Sequence, residues 1–404
     1  MPATILLIGT LDTKGEECAY VRRLIEQRGH HVLTLDAGVL TDPTQPVEIP
    51  ASEVALAGGG DLEELRRTGD RGAALEIMRQ GASAITLRLY AERRFAGVIG
   101  LGGSGGTAIA SAAMRALPTG VPKMMVSTVA SGDVSPYVGV RDIAMMYSVV
   151  DIAGLNRLSR RILSNAAGSI SGMVEQAIPD EVDLPLIAAS MFGVTTPCVD
   201  RVRERLCAAG YEVLVFHATG SGGRAMEALI ADGYFAGVAD VTTTEWCDEL
   251  VGGVLTAGPH RLEAAAKAGV PQVVSCGALD MVNFWAMDTI PPQFRDRRFY
   301  VHNANVTLMR TTPEECAQLG KILAEKLNQA AGPTKLLIPL RGVSAIDRDG
   351  QPFHDPEADA ALFEALRANL RPPVELVELD LHINDSAFAD AIADALLAEI
   401  TPNR

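Results

Sequence analysis

Aromatic residues, cysteine pairs and long apolar runs are all scarce in this sequence. It has two tryptophans and 5% aromatic residues against 38 glycines, which favours an α/β body over a β-sandwich. The six cysteines lie far apart and none forms a CxxC pair, so we expect neither a metal site of the zinc type nor a disulfide framework. Unpaired cysteines of this kind are typical of a reducing, cytoplasmic location.

No targeting or membrane-spanning segment is predicted. Asp12 and Lys14 interrupt the N-terminal apolar run, and no basic segment precedes it, so a signal peptide is not expected. The longest stretch without charge, residues 95–114, contains six glycines and is typical of a strand, a loop and a helix start. The net charge of −15 excludes a bulk attraction to nucleic acid or to an anionic membrane surface.

The length and the apolar content predict more than one domain. A chain of 404 residues with 48% apolar side chains can form two or three domains with substantial cores. The polar stretch PDEVDLP at residues 179–185 indicates the boundary between them. We therefore expect an N-terminal domain over residues 1–182 and a C-terminal domain over residues 183–404.

The first half alternates apolar runs with helical patterns. TILLIG (residues 4–9) predicts a buried strand, residues 15–28 predict a helix, and VLTL (residues 32–35) predicts the next strand. A further helical stretch is predicted over residues 61–94. Residues 142–178, rich in Ala, Ser, Gly and Met, predict one or two helices for which we expect an inter-domain or dimer contact.

The second half repeats this plan. A shift of 181 residues places residues 3–36 on residues 184–217 without a gap. A strand followed by GSGG and a helix start occurs both at residues 96–107 and at residues 213–224. The alternation predicts an α/β fold of two Rossmann-like, doubly wound domains with mainly parallel sheets. Further strands of the second half are predicted to end at Asp240, Cys276, His302, Leu340 and Leu379.

Three loops of the first half that follow predicted strands are rich in Gly, Ser and Thr. Ligands bind beyond the carboxyl ends of the strands in open α/β sheets, and two of these loops lead into helices, whose free amides favour an anion such as phosphate. Lys14 could add a positive charge, and Asp36 could accept a hydrogen bond from a ribose hydroxyl. The predicted binding residues are Gly9, Thr10, Asp12, Thr13, Lys14, Asp36, Gly102, Gly103, Ser104, Gly105, Gly106, Thr107, Ser127, Thr128, Ala130 and Ser131.

The central glycine-rich loop allows two other interpretations. Residues 100–105 satisfy GxGxxG, but they follow a later strand and lack the acidic residue expected about 20 residues on. Residues 102–106 satisfy GxSxG, the nucleophile elbow of serine hydrolases, with Ser104 as the nucleophile. The glycines could also permit only a tight turn and close packing of helix on sheet. A phosphate cradle, a structural turn and a nucleophile elbow therefore all remain open from spacing alone.

A second polar cluster follows the predicted strands of the other half. Histidines with acidic partners at one edge of a parallel sheet could perform acid–base catalysis or hold a metal; alternatively, each group satisfies loop backbone or forms an ion pair. The catalytic candidates are His217, Glu245, Asp280 and His302, with Asp240 nearby. The candidates for substrate binding are Gly220, Ser221, Gly222, Gly223, Arg224, Thr243 and Asn303.

Long strings along nearly the whole chain carry a family resemblance. Among them are GTLDTKGEE (9–17), GLGGSGGT (100–107), VFHATGSGGRAMEAL (215–229), TTTEWCDELVGG (242–253) and HNANVTLMRTT (302–312). By these strings the sequence resembles the UPF0261 family, the Tm-1-like ATP-binding proteins. The resemblance implies two Rossmann-like domains, ATP with or without magnesium at the three N-terminal loops, and a homodimer. A TIM-barrel domain found in a plant member implies a separate TIM-barrel partner protein for this chain.

These observations lead to three functional hypotheses. The first is an ATP-binding metabolic enzyme, or the partner of one, acting on a small carboxylate or sugar acid held in the C-terminal domain. The second is a non-catalytic module that nucleotide regulates, which nucleotide binding without turnover would indicate. The third is a serine hydrolase that uses Ser104, which a serine-directed probe would label.

Overall fold

The computed structural model describes residues 2–44, 47–178 and 183–400. Within it the chain forms two compact units, Met1–Asp180 (unit 1) and Glu181–Arg404 (unit 2). The predicted boundary after residue 182 falls at residues 179–182, which lie outside the described residues. No helix of the described chain is long and apolar enough to cross a membrane.

Unit 1 is built on a five-stranded parallel sheet with the strand order β2-β1-β3-β4-β5. Alternate residues of β1 enter different cores: Leu6 and Ile8 pack with one set of helices, and Ile5 and Leu7 with the other. A strand that is apolar on both faces is expected where helices cover both sides of a parallel sheet. The elements are β1 (Thr4–Gly9), α1 (Leu11–Gln27), β2 (His31–Asp36), α2 (Ala51–Ala57), α3 (Leu62–Thr68), α4 (Arg71–Ala91), β3 (Gly97–Gly102), α5 (Ser104–Ala116), β4 (Lys123–Ser127), α6 (Ser135–Val138), β5 (Ala144–Tyr147) and α7 (Arg157–Glu175).

The two helical predictions for unit 1 have different outcomes. The helical stretch predicted over residues 61–94 is confirmed and consists of two helices, because Gly69 ends α3 in a left-handed conformation and Asp70 caps α4 through two backbone amides. The start of residues 142–178 is the edge strand β5, not a helix. These residues form a strand because Ala144–Tyr147 pair in parallel register with Met124–Ser127 of β4.

Unit 2 contains a six-stranded parallel sheet, ordered β14-β13-β9-β8-β6-β7, and a three-stranded antiparallel sheet, ordered β10-β12-β11. The elements are β6 (Leu186–Met191), α8 (Thr196–Ala208), β7 (Glu212–His217), α9 (Ser221–Ala231), β8 (Phe235–Thr242), α10 (Glu245–Val251), α11 (Ala264–Ala268), β9 (Gln272–Gly277), β10 (Met281–Phe284), β11 (Phe299–Asn303), β12 (Val306–Arg310), α12 (Pro313–Leu327), β13 (Thr334–Pro339), α13 (Pro356–Asn369), β14 (Glu375–Leu379) and α14 (Ser386–Ile400).

The prediction of two Rossmann-like domains with mainly parallel sheets is confirmed. The first five strands of each parallel sheet follow the same spatial order, with the second strand outside the first and the third on its other side. The run that ends at His302 was predicted to belong to the parallel sheet, and this is wrong. It forms β11, which pairs antiparallel with β12 in the three-stranded sheet. His302 and Asn303 therefore do not follow a strand of the parallel sheet.

Candidate functional site

In the sheet of unit 1, β1 and β3 are neighbours, and successive strands are added outward from them in opposite directions. From β1 the chain continues to β2 on one side, and from β3 it continues to β4 and β5 on the other. Such a switch point is where open α/β sheets place their ligands. The loops after β1, β3 and β4 meet here: a Cβ built on Gly106 would lie 4.0 Å from Thr10 Oγ1, and one on Gly103 would lie 3.7 Å from Thr128 Oγ1. The Thr128 amide donates to Gly102 O at 3.2 Å. The structure thus brings the three predicted loops together.

The start of α5 is open toward this crevice. Gly103 occupies the N-cap position, and no side chain caps the helix. The amides of Ser104, Gly105 and Gly106 have no acceptor among the residues that the structure describes. Three free amides at the positive end of a 13-residue helix form a site for an anion.

Glycine is required at one position of this loop. A Cβ on Gly102 would lie 2.7 Å from the backbone of Gly106, a distance that real side chains do not adopt. In contrast, a Cβ on Gly105 would meet only the side chain of Leu75, at 3.6 Å. Gly102 therefore lets the first turn of α5 approach β3, while Gly105 leaves room in front of the helix.

Hydroxyl groups behind the loop hold it in place. Thr107 Oγ1 lies 2.7 Å from Ser127 Oγ, both side chains are buried, and Ser127 Oγ accepts from the Val129 amide at 3.1 Å. These two predicted binding residues are therefore closed to a ligand and position the loops. Thr128 and Ala130 are half-buried, and Ser131 is exposed at the rim.

Lys14 lies in a distorted first turn of α1. Its φ of −129° and ψ of 18° depart from the helical values around it, and Thr10 Oγ1 lies 3.0 Å from Thr13 Oγ1 in the same turn. The Lys14 ammonium group forms no hydrogen bond or ion pair within the part of the chain that the structure describes. Lys14 thus carries a positive charge in the first turn after β1 that no described residue pairs with.

Asp36 joins the loops that follow β1 and β2. Its carboxylate is fully buried, and Oδ1 accepts from the amides of Leu11 at 3.0 Å and Gly38 at 2.8 Å. Burial and, to a smaller extent, the nearby Asp12 raise the pKa of Asp36. Asp12 likewise accepts from two amides of the β2–α2 loop, at 2.9 Å each. Asp36 Oδ1 and Asp12 Oδ2 thus join the two loops, whereas Asp36 Oδ2 has no partner among the described residues. A ribose contact for Asp36 stays a prediction.

A cavity of about 570 Å³ opens beside α1 in the same unit. Thr13, Glu17, Tyr20 and Arg23 of α1 line it, together with residues 41–44 and 154–155. Glu17 is buried, and its Oε1 accepts from the Gly154 amide at 2.5 Å. Asp12 and Thr13, two of the predicted binding residues, also line this cavity, whereas the prediction from strand ends did not include Glu17, Tyr20 or Arg23.

The glycine-rich loop of unit 2 is already occupied by a side chain. Glu245 is buried, and its Oε1 accepts from the amides of Gly220 at 2.7 Å and Gly223 at 3.1 Å. Arg224 is exposed and donates to Thr256 O at 2.9 Å. Gly220 and Gly223 therefore meet an internal carboxylate where the sequence predicted a substrate. Ser221 is exposed and its amide donates to Thr219 O at 3.0 Å, and Gly222 lies against the backbone of His217.

A buried arginine organises the carboxylates around this loop. Arg261 donates to Asp240 through two nitrogens at 2.5 and 2.6 Å, to Glu245 at 2.8 Å and to Glu227 at 3.1 Å. Ser190 Oγ also donates to Asp240, at 2.6 Å. Sequence reasoning missed Arg261, which lies in a loop without a motif. Asp240 and Glu245 thus belong to an ion network, as the alternative interpretation predicted.

A second buried cluster contains Asp280. Its Oδ2 accepts from Ser344 Oγ at 2.7 Å, and its Oδ1 is buried without a partner among the described residues. Arg310 donates to Asp359 at 2.6 Å and lies 3.6 Å from Asp347. Burial and the neighbouring Asp347 raise the pKa of Asp280 to about 8, and burial raises that of Asp359 to about 7. Asp280 is thus enclosed in a buried cluster with Arg310, Asp347 and Asp359, and its catalytic role stays a prediction.

The other candidates of unit 2 are not brought together. His217 is exposed at the end of an edge strand and touches Phe192, with 6.1 Å between ring centres. His302 is exposed in the antiparallel sheet, and Asn303 accepts from the Asn305 amide at 2.8 Å. Thr243 is buried and donates to Ser275 O. Across the described residues, no three His, Cys, Asp or Glu side chains cluster so as to hold a metal ion.

Comparison with known proteins identifies close relatives. The description "Uncharacterised protein family (UPF0261) N-terminal domain" matches residues 3–179, and its C-terminal counterpart matches residues 184–400. A UPF0261 protein of Clostridium tetani is 54% identical over 98% of this chain and 99% of its own length. The ToMV resistance protein Tm-1(GCR237) of Solanum lycopersicum is 46% identical over 98% of this chain and 56% of its own length.

Solved structures add no functional argument. The glycosyltransferase SsfS6 of Streptomyces sp. SF2575, in complex with thymidine diphosphate, aligns with 99% of this chain and 96% of its own. The identity is 14% and the TM-score is 0.18, so this likeness carries no conclusion about a ligand.

Proposed function

This chain belongs to the UPF0261 family, and on that premise we propose that unit 1 binds a nucleotide, ATP, with its phosphates at the start of α5. The observation that carries the proposal is the open end of α5 at the switch point between β1 and β3. Three amides without acceptors face the crevice there, and helix starts of this kind bind phosphate.

Groups from the neighbouring loops suit the same ligand. Thr10 and Thr128 flank the glycine-rich turn and could donate to phosphate oxygens. The unpaired ammonium group of Lys14 could offset phosphate charge, alone or with magnesium. In this proposal Asp12 and Asp36 act indirectly, because they hold the β1–α1 and β2–α2 loops together.

The structure gives the hydrolase hypothesis no support. Ser104 is exposed, and its side chain forms no hydrogen bond to any residue that the structure describes. The two histidines of unit 1, His30 and His31, lie at the amino end of β2, the edge opposite Ser104. Among the described residues of unit 1, no histidine therefore lies at the edge of the sheet where Ser104 stands, and a serine nucleophile needs a base within hydrogen-bond reach.

Calorimetric titration of the full chain with ATP and ADP, with and without MgCl₂, tests the proposal. Ser104→Glu places a carboxylate in front of the free amides, so we expect ATP affinity to fall at least about tenfold. Asn165→Glu is the matched control, because it adds the same charge at an exposed position of α7. Equal ATP binding by wild type and Ser104→Glu, or no binding by wild type, would contradict the proposal.

A phosphate-release assay on the same samples separates the two remaining hypotheses. Release that depends on Lys14 and Ser104 would favour an ATP-consuming enzyme. Binding without release would favour a module that nucleotide regulates. The catalytic candidates of unit 2 lie in buried networks or apart from one another, so we propose nucleotide binding and assign no reaction. The homodimer and the TIM-barrel partner stay predictions of the family resemblance.

A further inference from the structure

The two glycine-rich helix starts of this chain differ in one respect. At α5 of unit 1 the amides are free, whereas at α9 of unit 2 the Glu245 carboxylate accepts from Gly220 and Gly223. Glu245 is the first residue of α10, which follows β8, the neighbour of β6 across the switch point of unit 2. The same strand–GSGG–helix plan thus ends in an open site in one unit and a filled site in the other.

The groups around Glu245 are those of a carboxylate-binding site. One oxygen is held by two amides at the start of the 11-residue helix α9, and the other accepts from Arg261 Nε at 2.8 Å. Amides at a helix start and the N–H groups of arginine are donors that recognise carboxylates. A Cβ on Gly223 would lie 2.0 Å from Oε2, so the glycine makes room for the carboxylate.

We propose that α9 and Arg261 form a carboxylate site whose ligand is the chain's own Glu245, and that the start of α9 is thereby closed to external anions. The proposal does not depend on nucleotide binding in unit 1. It predicts that phosphate ligands do not bind at the start of α9, although the sequence carries the glycine-rich motif there as it does in unit 1.

Charge determines which ligand could replace the Glu245 side chain. Arg261 already faces the carboxylates of Asp240 and Glu227 at 2.5 and 3.1 Å. A monocarboxylate in place of Glu245 leaves the charge of this buried network unchanged. A phosphate dianion would add a negative charge close to two carboxylates, which is unfavourable in a buried site. The site therefore selects a small monocarboxylate over phosphate.

Glu245→Ala tests this by chemical rescue, because the atoms removed correspond to one acetate ion. Both tryptophans, Trp246 and Trp285, lie in unit 2, so tryptophan fluorescence follows the thermal unfolding of this unit alone. We expect Glu245→Ala to lower the Tm by about 10 °C. Sodium acetate at 100 mM should raise it again by about 4 °C relative to NaCl of equal ionic strength, while phosphate should not.

Two controls make the result specific. Glu245→Gln fills the same space, so acetate should not raise its Tm, and wild type should not respond either. If Glu245→Ala is recovered unfolded, refolding from urea with and without acetate gives the same readout, with recovery expected only in acetate. Equal effects of acetate on all three proteins, or no effect on Glu245→Ala, would overturn the proposal.

A second measurement tests the closed state without altering Glu245. In Ser104→Glu, inorganic phosphate should leave the tryptophan fluorescence of unit 2 unchanged. A saturable fluorescence change that Arg224→Ala abolishes would show an external anion at α9 and overturn the proposal. Failure of ATP to bind wild type would refute only the nucleotide proposal.

Discussion

Replacing Arg261 by methionine removes the cation from the buried network of unit 2 and leaves its packing volume nearly unchanged. Arg261 is 1% exposed and donates four hydrogen bonds to three carboxylates, those of Asp240, Glu245 and Glu227. Removing one partner of a buried ion pair costs about 3–5 kcal/mol. Because three carboxylates lose their partner at once, we expect a loss of about 5 kcal/mol at pH 8.

Urea denaturation followed by tryptophan fluorescence measures this loss in unit 2. With a slope near 2 kcal/mol per molar urea, the midpoint should fall by about 2.5 M. The loss should be smaller at pH 5, because the carboxylates left without a cation take up protons there and stabilise the folded variant relative to pH 8.

Arg341→Met is the matched control for this prediction. Arg341 forms two hydrogen bonds to Asp380 in the same unit, but these side chains are 63% and 72% exposed. Exposed pairs contribute about 0–1 kcal/mol, so its midpoint should stay close to that of wild type. A loss below about 1 kcal/mol for Arg261→Met at pH 8, or equal losses at pH 5 and pH 8, would refute the reasoning.

Three further predictions concern buried carboxyls and one glycine. Asp36→Asn should change the free energy of unfolding by less than about 1 kcal/mol, because its side-chain oxygen still accepts from the amides of Leu11 and Gly38. Asp36→Ala should cost about 2–3 kcal/mol, because it removes this acceptor. Thermal denaturation followed by circular dichroism ranks the two variants, and a less stable Asp36→Asn would contradict the structural role of Asp36. The raised pKa values of Asp280 and Asp359 mean that the folded state binds more protons than the unfolded state between about pH 4 and 8. Stability should therefore fall with rising pH, by about 1.4 kcal/mol per pH unit for each extra proton, and Asp280→Asn should flatten this profile; a flat wild-type profile measured in urea would count against the cluster. Gly102→Ala should cost about 1–3 kcal/mol and weaken ATP binding, because its Cβ meets backbone at 2.7 Å. Gly172→Ala is the control, because its Cβ meets nothing within 4 Å, and it should be at least as stable as wild type. Equal stabilities of Gly102→Ala and Gly172→Ala in a melting assay would contradict the steric argument.

The fold was largely predictable because its signals are local. TILLIG is apolar at every position, as a strand covered on both faces must be, and the 181-residue shift brings β1 to residues 185–190, one residue from β6 at Leu186–Met191. The exceptions are segments whose state depends on a distant partner. Residues 144–147 form a strand only because β4 lies beside them, and β11 leaves the parallel sheet to pair with β12.

The candidate site divides in the same way. Gly, Ser and Thr after a strand predict where backbone amides are free. Such a loop is formed by a few consecutive residues, so it can be recognised in the sequence. Whether a carboxylate fills such a place depends on a residue far along the chain: 22 positions separate Glu245 from Gly223, and 16 separate it from Arg261. Nothing in the spacing of these residues indicated the contact.

By itself, the sequence determined the alternation of strands and helices, the two units and the three loops at one edge of the first sheet. These features follow from periodic apolar positions and from glycines that only certain turns accept. Tertiary structure alone decided which of two equal motifs is open, that Asp36 is enclosed, and that Asp280 and Glu245 belong to arginine networks. The physical reason is that burial and pairing of charges depend on groups that only folding brings within hydrogen-bond distance.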